Sequence, residues 1–100
     1  MTSLAATVRD NDAAHRYELI LDGDLAGRLF YRAKDRVVTL IHTEIDPRLE
    51  GHGLGEQLVE ATLDDIRARG FHIIPLCPFV VAYLRRHPED ADLVDSRGKL

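Results

Sequence analysis

Three groups of residues in this chain have the types and spacing that chemistry requires. Gly51, Gly53 and Gly55 alternate with His52 and Leu54 just ahead of a helical pattern. Glycines without Cβ atoms let the backbone turn tightly and approach a ligand, and a helix start offers unpaired N–H groups and a positive dipole end. Such a loop suits a phosphate, although glycines at a helix start also serve as turn formers. Cys77 is the only cysteine and directly precedes Pro78, a residue suited to the first turn of a helix. There the dipole favours a thiolate, which gives a nucleophile or a proton donor; the bland alternative is a small buried filler. His42 and Glu44 stand two apart in a β-branched run, so on a strand they share one face. They suit a general base and its orienting partner, or they are a solvated strand end.

Other chemistries fit less well. A mononucleotide loop needs Lys-Ser/Thr after its last glycine, and Glu56-Gln57 stand there instead. A dinucleotide fingerprint needs an acidic residue about 20 positions on, and that distance falls within Phe71 to Pro75. One cysteine excludes an intrachain disulfide and a thiolate zinc cluster, and no two of the five histidines are four apart. No metal site is expected. The net charge of −4 gives no basic field for nucleic acid or an anionic membrane. No apolar run approaches a spanning length, and Met1-Thr2-Ser3-Leu4 lacks the features of a signal peptide, so the expected place is the cytoplasm.

The elements that must position these groups follow from pattern. A chain of 100 residues with 45% apolar and 30% charged residues is the size and composition of one globular domain, here expected over 1–100 with its core at about 15–95. Ala5 to Arg9 suits an edge strand ended by Asn11-Asp12. Arg16 to Leu21 and Leu25 to Arg32 flank the turn Asp22-Gly23-Asp24 and predict a hairpin. Arg36 to Ile45 predicts a third strand, buried on both faces at its start and broken by Asp46-Pro47. After the glycine loop, Leu54, Leu58, Ala61 and Ala68 recur at helical spacing, and Arg69-Gly70 suits the helix end. Asp65 and Arg69, four apart, are placed to pair. Phe71 to Leu76 predicts a short buried strand, and Pro78 starts a second helix running to about His87-Pro88. The order predicts an α+β fold around a mostly antiparallel sheet, with one right-handed strand-helix-strand crossover.

The stretch Ile45-Asp46-Pro47-Arg48-Leu49-Glu50-Gly51-His52-Gly53-Leu54-Gly55 resembles the acetyl-coenzyme A signature of the GNAT-type N-acetyltransferases. In those proteins a Val/Ile-x-Pro segment ends a strand and an Arg/Gln-x-x-Gly-x-Gly/Ala loop begins a helix. Together with His42-Thr43-Glu44-Ile45, Pro75-Leu76-Cys77-Pro78-Phe79-Val80, Tyr83 and Arg86-His87-Pro88-Glu89, the chain is similar to a family of minimal, cysteine-containing GNAT domains from about Tyr17 to Val94. The resemblance implies a sheet splayed between two neighbouring strands, two main helices, and acetyl-coenzyme A in the cleft. The backbone of Glu50, Gly51, His52, Gly53, Leu54 and Gly55 would cradle the pyrophosphate. The strand end carrying Thr43 and Ile45 would pair with the pantetheine arm.

Glu50 departs from the pattern, standing where larger relatives carry Arg or Gln. Those relatives also place a proton-donating tyrosine on the last helix. Aligning Cys77 with the asparagine of their Asn-x-x-Ala-x-x-Phe/Leu-Tyr segment puts Leu84 on the tyrosine's position, with Tyr83 offset by about 100° around the helix. Tyr83 is then a proton donor or a packed core residue, and Cys77 is the stronger candidate, accepting the acetyl group or protonating the departing thiolate. Arg85, Arg86 and His87 suit the helix dipole and could meet coenzyme phosphates. The reading is an N-acetyltransferase acting on an unidentified amine; the alternatives are a coenzyme A or acyl-coenzyme A binding module without turnover, and an interaction domain. The sequence names neither the acceptor nor an oligomeric state.

Overall fold

The structure, a computed structural model, describes residues 6–98; Met1 to Ala5, with the leader reading and the first residue of the expected edge strand, lie outside the described residues. Five strands pair in sequence order: β1 (Ala6–Asn11), β2 (Arg16–Leu21), β3 (Asp24–Lys34), β4 (Val37–Ile45) and β5 (His72–Pro75). Each of the first three pairings is antiparallel, because short turns return the chain beside itself. β5 runs parallel to β4, reached through helix α1 (Leu54–Ala68), and helix α2 (Pro78–Arg86) follows it. This is the mixed, mostly antiparallel α+β architecture that the pattern predicts.

Tyr17, Leu19 and Leu21 of β2, Leu29 and Tyr31 of β3, and Val38 and Leu40 of β4 are buried in one core with Leu58, Val59, Leu63 and Ile66 of α1 and Val80, Tyr83 and Leu84 of α2. Alternation along each strand sends one set of side chains into this core. The helix spacing sends Glu56, Gln57 and Glu60 of α1 outward. Helix α1 ends as expected, with Arg69 as its cap, Gly70 in a left-handed conformation, and Arg69 Nε 3.0 Å from Asp65. No helix is long and apolar enough to cross a membrane.

The boundaries differ from the expectation in informative places. β3 runs through Lys34 because Ala33 and Lys34 still find partners in Val38 and Val37. β5 is two residues shorter at the ladder, and α2 stops at Arg86, where His87 leaves helical geometry ahead of Pro88.

The short β5 shapes the site. It pairs with β4 only from Val37↔His72 to Leu40↔Pro75, and the Leu40 carbonyl then accepts the N–H groups of Leu76 and Cys77 as the chain turns into α2. Residues 41–45 of β4 therefore have no β5 neighbour. At the same point β4 carries a bulge: Tyr31 faces Leu40 and Phe30 faces His42, leaving Ile41 as the extra residue. A bulge adds one residue to the period of two, so the face that Val38 and Leu40 occupy passes to Thr43 and Ile45.

Candidate functional site

Where β4 parts from β5, a cleft of about 370 Å³ opens between the free strand end and the two helices. Thr43 and Ile45 form one wall, Leu49, Glu50, Gly51, Gly53, Leu54, Gly55 and Glu56 the floor and far end, and Phe79 of α2 the other wall. The sequence builds the floor in two steps. Asp46 ends β4 and accepts the Arg48 N–H at 3.0 Å, which starts the single turn Pro47–Leu49. Gly51 and Gly53 then take φ values of 87° and 74°, which side chains with a Cβ rarely adopt.

Gly53 is the N-cap of α1 and brings no side chain to cap it. The first main-chain bond of the helix runs from the Gln57 N–H to the Gly53 carbonyl. The N–H groups of Leu54, Gly55 and Glu56 ahead of it have no helical acceptor and stand at the positive end of a 15-residue dipole. Such an arrangement is chemically suited to cradle an anion at the end of the cleft.

Gly55 serves packing instead. A Cβ there would lie 2.7 Å from Cζ of Phe79, so the bare backbone of α1 is the seat of that ring. Phe79 is one of three exposed large apolar side chains among the described residues, with Ile41 and Leu76, and all three lie where the sheet opens and the chain turns into α2.

Seven of the eight residues expected to meet the coenzyme line the cleft; His52 is exposed and does not. Leu49, Glu56 and Phe79 line it without having been anticipated. Leu49 and Glu56 flank the glycine loop on either side, which is the only signal they carried. Phe79 stood only within the segment 75–80 that carries the family resemblance, with no role attached.

Cys77 is the N-cap of α2, but its side chain makes no capping bond and is only 2% exposed. Its Sγ lies 3.3 Å from Oγ1 of Thr43, so the thiol stands one hydroxyl behind the cleft wall. His42 and Glu44 share a face, as their spacing requires, with Nε2 3.1 Å from Oε2. The bulge turns that face away from the core. His42 stacks on Phe30 at 6.2 Å, and Arg28 lies 3.9 Å from Glu44. Tyr83 packs in the core with its ring 4.0 Å from that of His87, and it does not line the cleft. Burial first, then the carboxylates Glu60, Asp90, Asp64 and Glu56, push its phenol up to about 12.

Among the described residues no group of three or more His, Cys, Asp and Glu side chains is placed to hold a metal ion. The cleft thus offers main-chain donors at one end, an apolar passage beside an unpaired strand, and a hydroxyl–thiol pair at the wall. Those features suit a long ligand with an anionic end.

Comparison with known proteins agrees on the architecture. The fold is similar to that of a GCN5-like protein from Staphylococcus aureus, at 20% identity and a TM-score of 0.66, covering 95% of this chain and 91% of that one. It is also similar to the ribosomal-protein-S18-alanine N-acetyltransferase of Escherichia coli, at 24% identity and a TM-score of 0.56. An aminoglycoside acetyltransferase from an uncultured soil metagenomic sample matches at 14% identity and a TM-score of 0.54. These two alignments cover 60% and 71% of this chain but only 39% and 54% of the larger enzymes. No curated protein sequence matches. The family described as GCN5-related N-acetyl-transferase matches residues 16–93, from the first residue of β2 to the buried Leu93. With the cradle, the open strand and strands β2 to β5 inside that span, the chain belongs to the GCN5-related N-acetyltransferase family.

Proposed function

We propose that this protein moves an acetyl group from acetyl-coenzyme A directly to an amine. The observation that carries the reading is the meeting of the α1 cradle with the unpaired half of β4 in one cleft. The coenzyme's pyrophosphate lies on the N–H groups from Gly51 to Gly55, and its pantetheine amides pair with the β4 backbone at 43–45 in place of a sixth strand segment. Phe79 covers the opposite side of that arm. The thioester then lies near Thr43.

The amine attacks the thioester carbon, a C–N bond forms and the C–S bond breaks. A base takes the ammonium proton, and the departing thiolate needs a proton in return. Glu44 with His42 suits the first task for an amine that arrives on the outer face of β4, since the pair belongs to the unpaired 41–45 segment but faces away from the core and does not line the cleft. The Thr43–Cys77 pair suits the second, because Thr43 Oγ1 lines the cleft and the thiol stands behind it. The depth of Cys77 favours this role over a covalent acetyl-cysteine. An acceptor amine is the common element in the S18-alanine and aminoglycoside acetyltransferases that share the fold, and the class proposed here is no narrower.

Thiol release and intact mass, measured with acetyl-coenzyme A and a panel of amines, test the reading. Direct transfer predicts thiol release that depends on an amine, no acetyl adduct on the protein, and a rate about tenfold lower in Cys77→Ala. An adduct on Cys77 overturns direct transfer in favour of a covalent route. Binding without turnover on any amine favours a coenzyme-binding module, a reading to which the exclusion of Tyr83 from the cleft lends weight. No saturable binding of acetyl-coenzyme A overturns both.

A further inference from the structure

The cradle end of the cleft is lined by two carboxylates, Glu50 and Glu56. Glu56 is the third residue of α1, where the dipole favours a negative side chain. That is also the field a bound phosphate would use, so Glu56 competes with any anionic ligand for the same donors. An opposing charge comes from the far end of α2: Nη2 of Arg86 lies 3.0 Å from Oε1 of Glu56. Among the described residues, Arg86 is the only cation paired with a side chain that lines this cleft. Arg48, the nearest cation in sequence to Glu50, is committed to Asp46 at 2.8 Å.

The pair is made by one nitrogen only, and both side chains are 52% exposed. An ion pair of this kind contributes little to stability. Its effect lies in where it holds charge. The remaining guanidinium donors have no hydrogen-bond partner among the described residues, and a guanidinium suits phosphate oxygens in a forked geometry.

We propose that Arg86 is a phosphate-binding residue that also draws Glu56 aside from the cradle, and so restores the positive charge that Glu50 removes from the loop. This rests on the coenzyme reading above and specifies the part of the ligand that the side chains recognise. The pyrophosphate and ribose 3′-phosphate of coenzyme A are its targets; the pantetheine arm is not.

Equilibrium binding of three probes separates the possibilities: acetyl-coenzyme A, its form lacking the 3′-phosphate, and acetyl-pantetheine. Arg86→Ala is expected to weaken acetyl-coenzyme A about tenfold and to leave acetyl-pantetheine unchanged. Arg86→Lys keeps the charge without the fork and retains only part of the affinity. Adding Glu56→Gln to Arg86→Ala recovers part of the loss, because the uncompensated carboxylate is then gone while the phosphate contact is still missing. The form lacking the 3′-phosphate locates the contact: a smaller loss there places Arg86 on the 3′-phosphate, and an equal loss on the pyrophosphate. Equal affinity of Arg86→Ala for acetyl-coenzyme A, or an equal loss for acetyl-pantetheine, overturns the proposal while the coenzyme reading stands. Wild type that binds none of the probes removes the coenzyme reading and this assignment with it. Melting curves of each variant confirm that losses in affinity are not losses of fold.

Discussion

The contact between Gly55 and Phe79 sets the width of the cleft at the scale of single residues. Gly55→Ala replaces the poorest ordinary helix former with the best, a gain of up to about 1 kcal/mol for α1. The added methyl meets the end of the Phe79 ring at 2.7 Å, so the ring must swing, and the open direction is the cleft. The expected outcome is an unchanged or slightly raised melting temperature with roughly tenfold weaker acetyl-coenzyme A binding. Adding Phe79→Ala should return part of the affinity by removing the obstruction. Thr43→Val keeps shape and removes the hydroxyl between Cys77 and the cleft. It is expected to lower kcat about tenfold with little change in coenzyme affinity, which steady-state and binding measurements on the same protein would resolve. The glycine loop was legible in the sequence because its chemistry lies in the backbone, where spacing is the whole signal. Cys77 was legible as a helix cap. Its depth behind Thr43 was not, because burial depends on the strand it faces.

At the scale of elements, the bulge at Ile41 decides which residues of β4 line the cleft. In an unbroken strand His42 and Glu44 would follow Leu40 inward, and Thr43 and Ile45 would face out. Deleting Ile41 takes out the extra residue: His42 then follows Leu40 directly, the ladder with β3 becomes regular, and Thr43 and Ile45 keep the inward face. The expected result is a protein that keeps its fold and still binds acetyl-coenzyme A, read by denaturant titration and binding; a core opened to His42 and Glu44, seen as a large loss of stability, would overturn the assignment of Ile41 as the extra residue. The strand itself was legible from its β-branched run. The bulge was not, since an unbroken strand with Val37, Ile41 and Ile45 on one face fits the sequence as well, and only pairing with β3 chooses between them.

Glu18 offers a second case. It looks like an outward strand residue, yet it is almost fully buried, with Arg16, Asn11 and Arg9 donating to its carboxylate at 2.7 to 3.1 Å. Two of those partners belong to β1, so nothing local announced the cluster. Burial opposes ionisation here, and the hydrogen bonds from Arg16, Asn11 and Arg9 outweigh it, lowering the pKa from 4.5 to about 2. A depressed folded-state pKa stabilises the fold above the unfolded value and ceases to as pH falls through the folded one. Stability tied to Glu18 is therefore complete above about pH 4.5 and lost on descending towards 2. In Glu18→Gln the acid-side slope between those values should flatten, with lower stability at neutral pH, as denaturant midpoints across the range would record.

Over the whole molecule, a domain of this size has only about 5–15 kcal/mol of net stability, so ligand binding is a sizeable addition to it. Acetyl-coenzyme A at 100 times its Kd adds about 2.7 kcal/mol, which for a chain of this length raises the melting temperature by roughly 10 °C or more. A shift of that size with acetyl-coenzyme A, much reduced in Arg86→Ala at the same ligand concentration, would join the cleft and the global fold in one measurement. Most of the architecture was readable because the meander of β1 to β4 and the two helices are local patterns. The opening beside β4 was not readable from pattern, since it arises from where β5 stops.

That opening also bears on solubility. Residues 41–45 present main-chain donors and acceptors beside the apolar surface of Ile41, Leu76 and Phe79, which is a template for strand addition by another copy. Coenzyme lying along the strand would occupy that template. Light scattering at high protein concentration should accordingly register association in the ligand-free protein and its suppression by acetyl-coenzyme A, so that the cofactor acts here as a chaperone of the edge it binds.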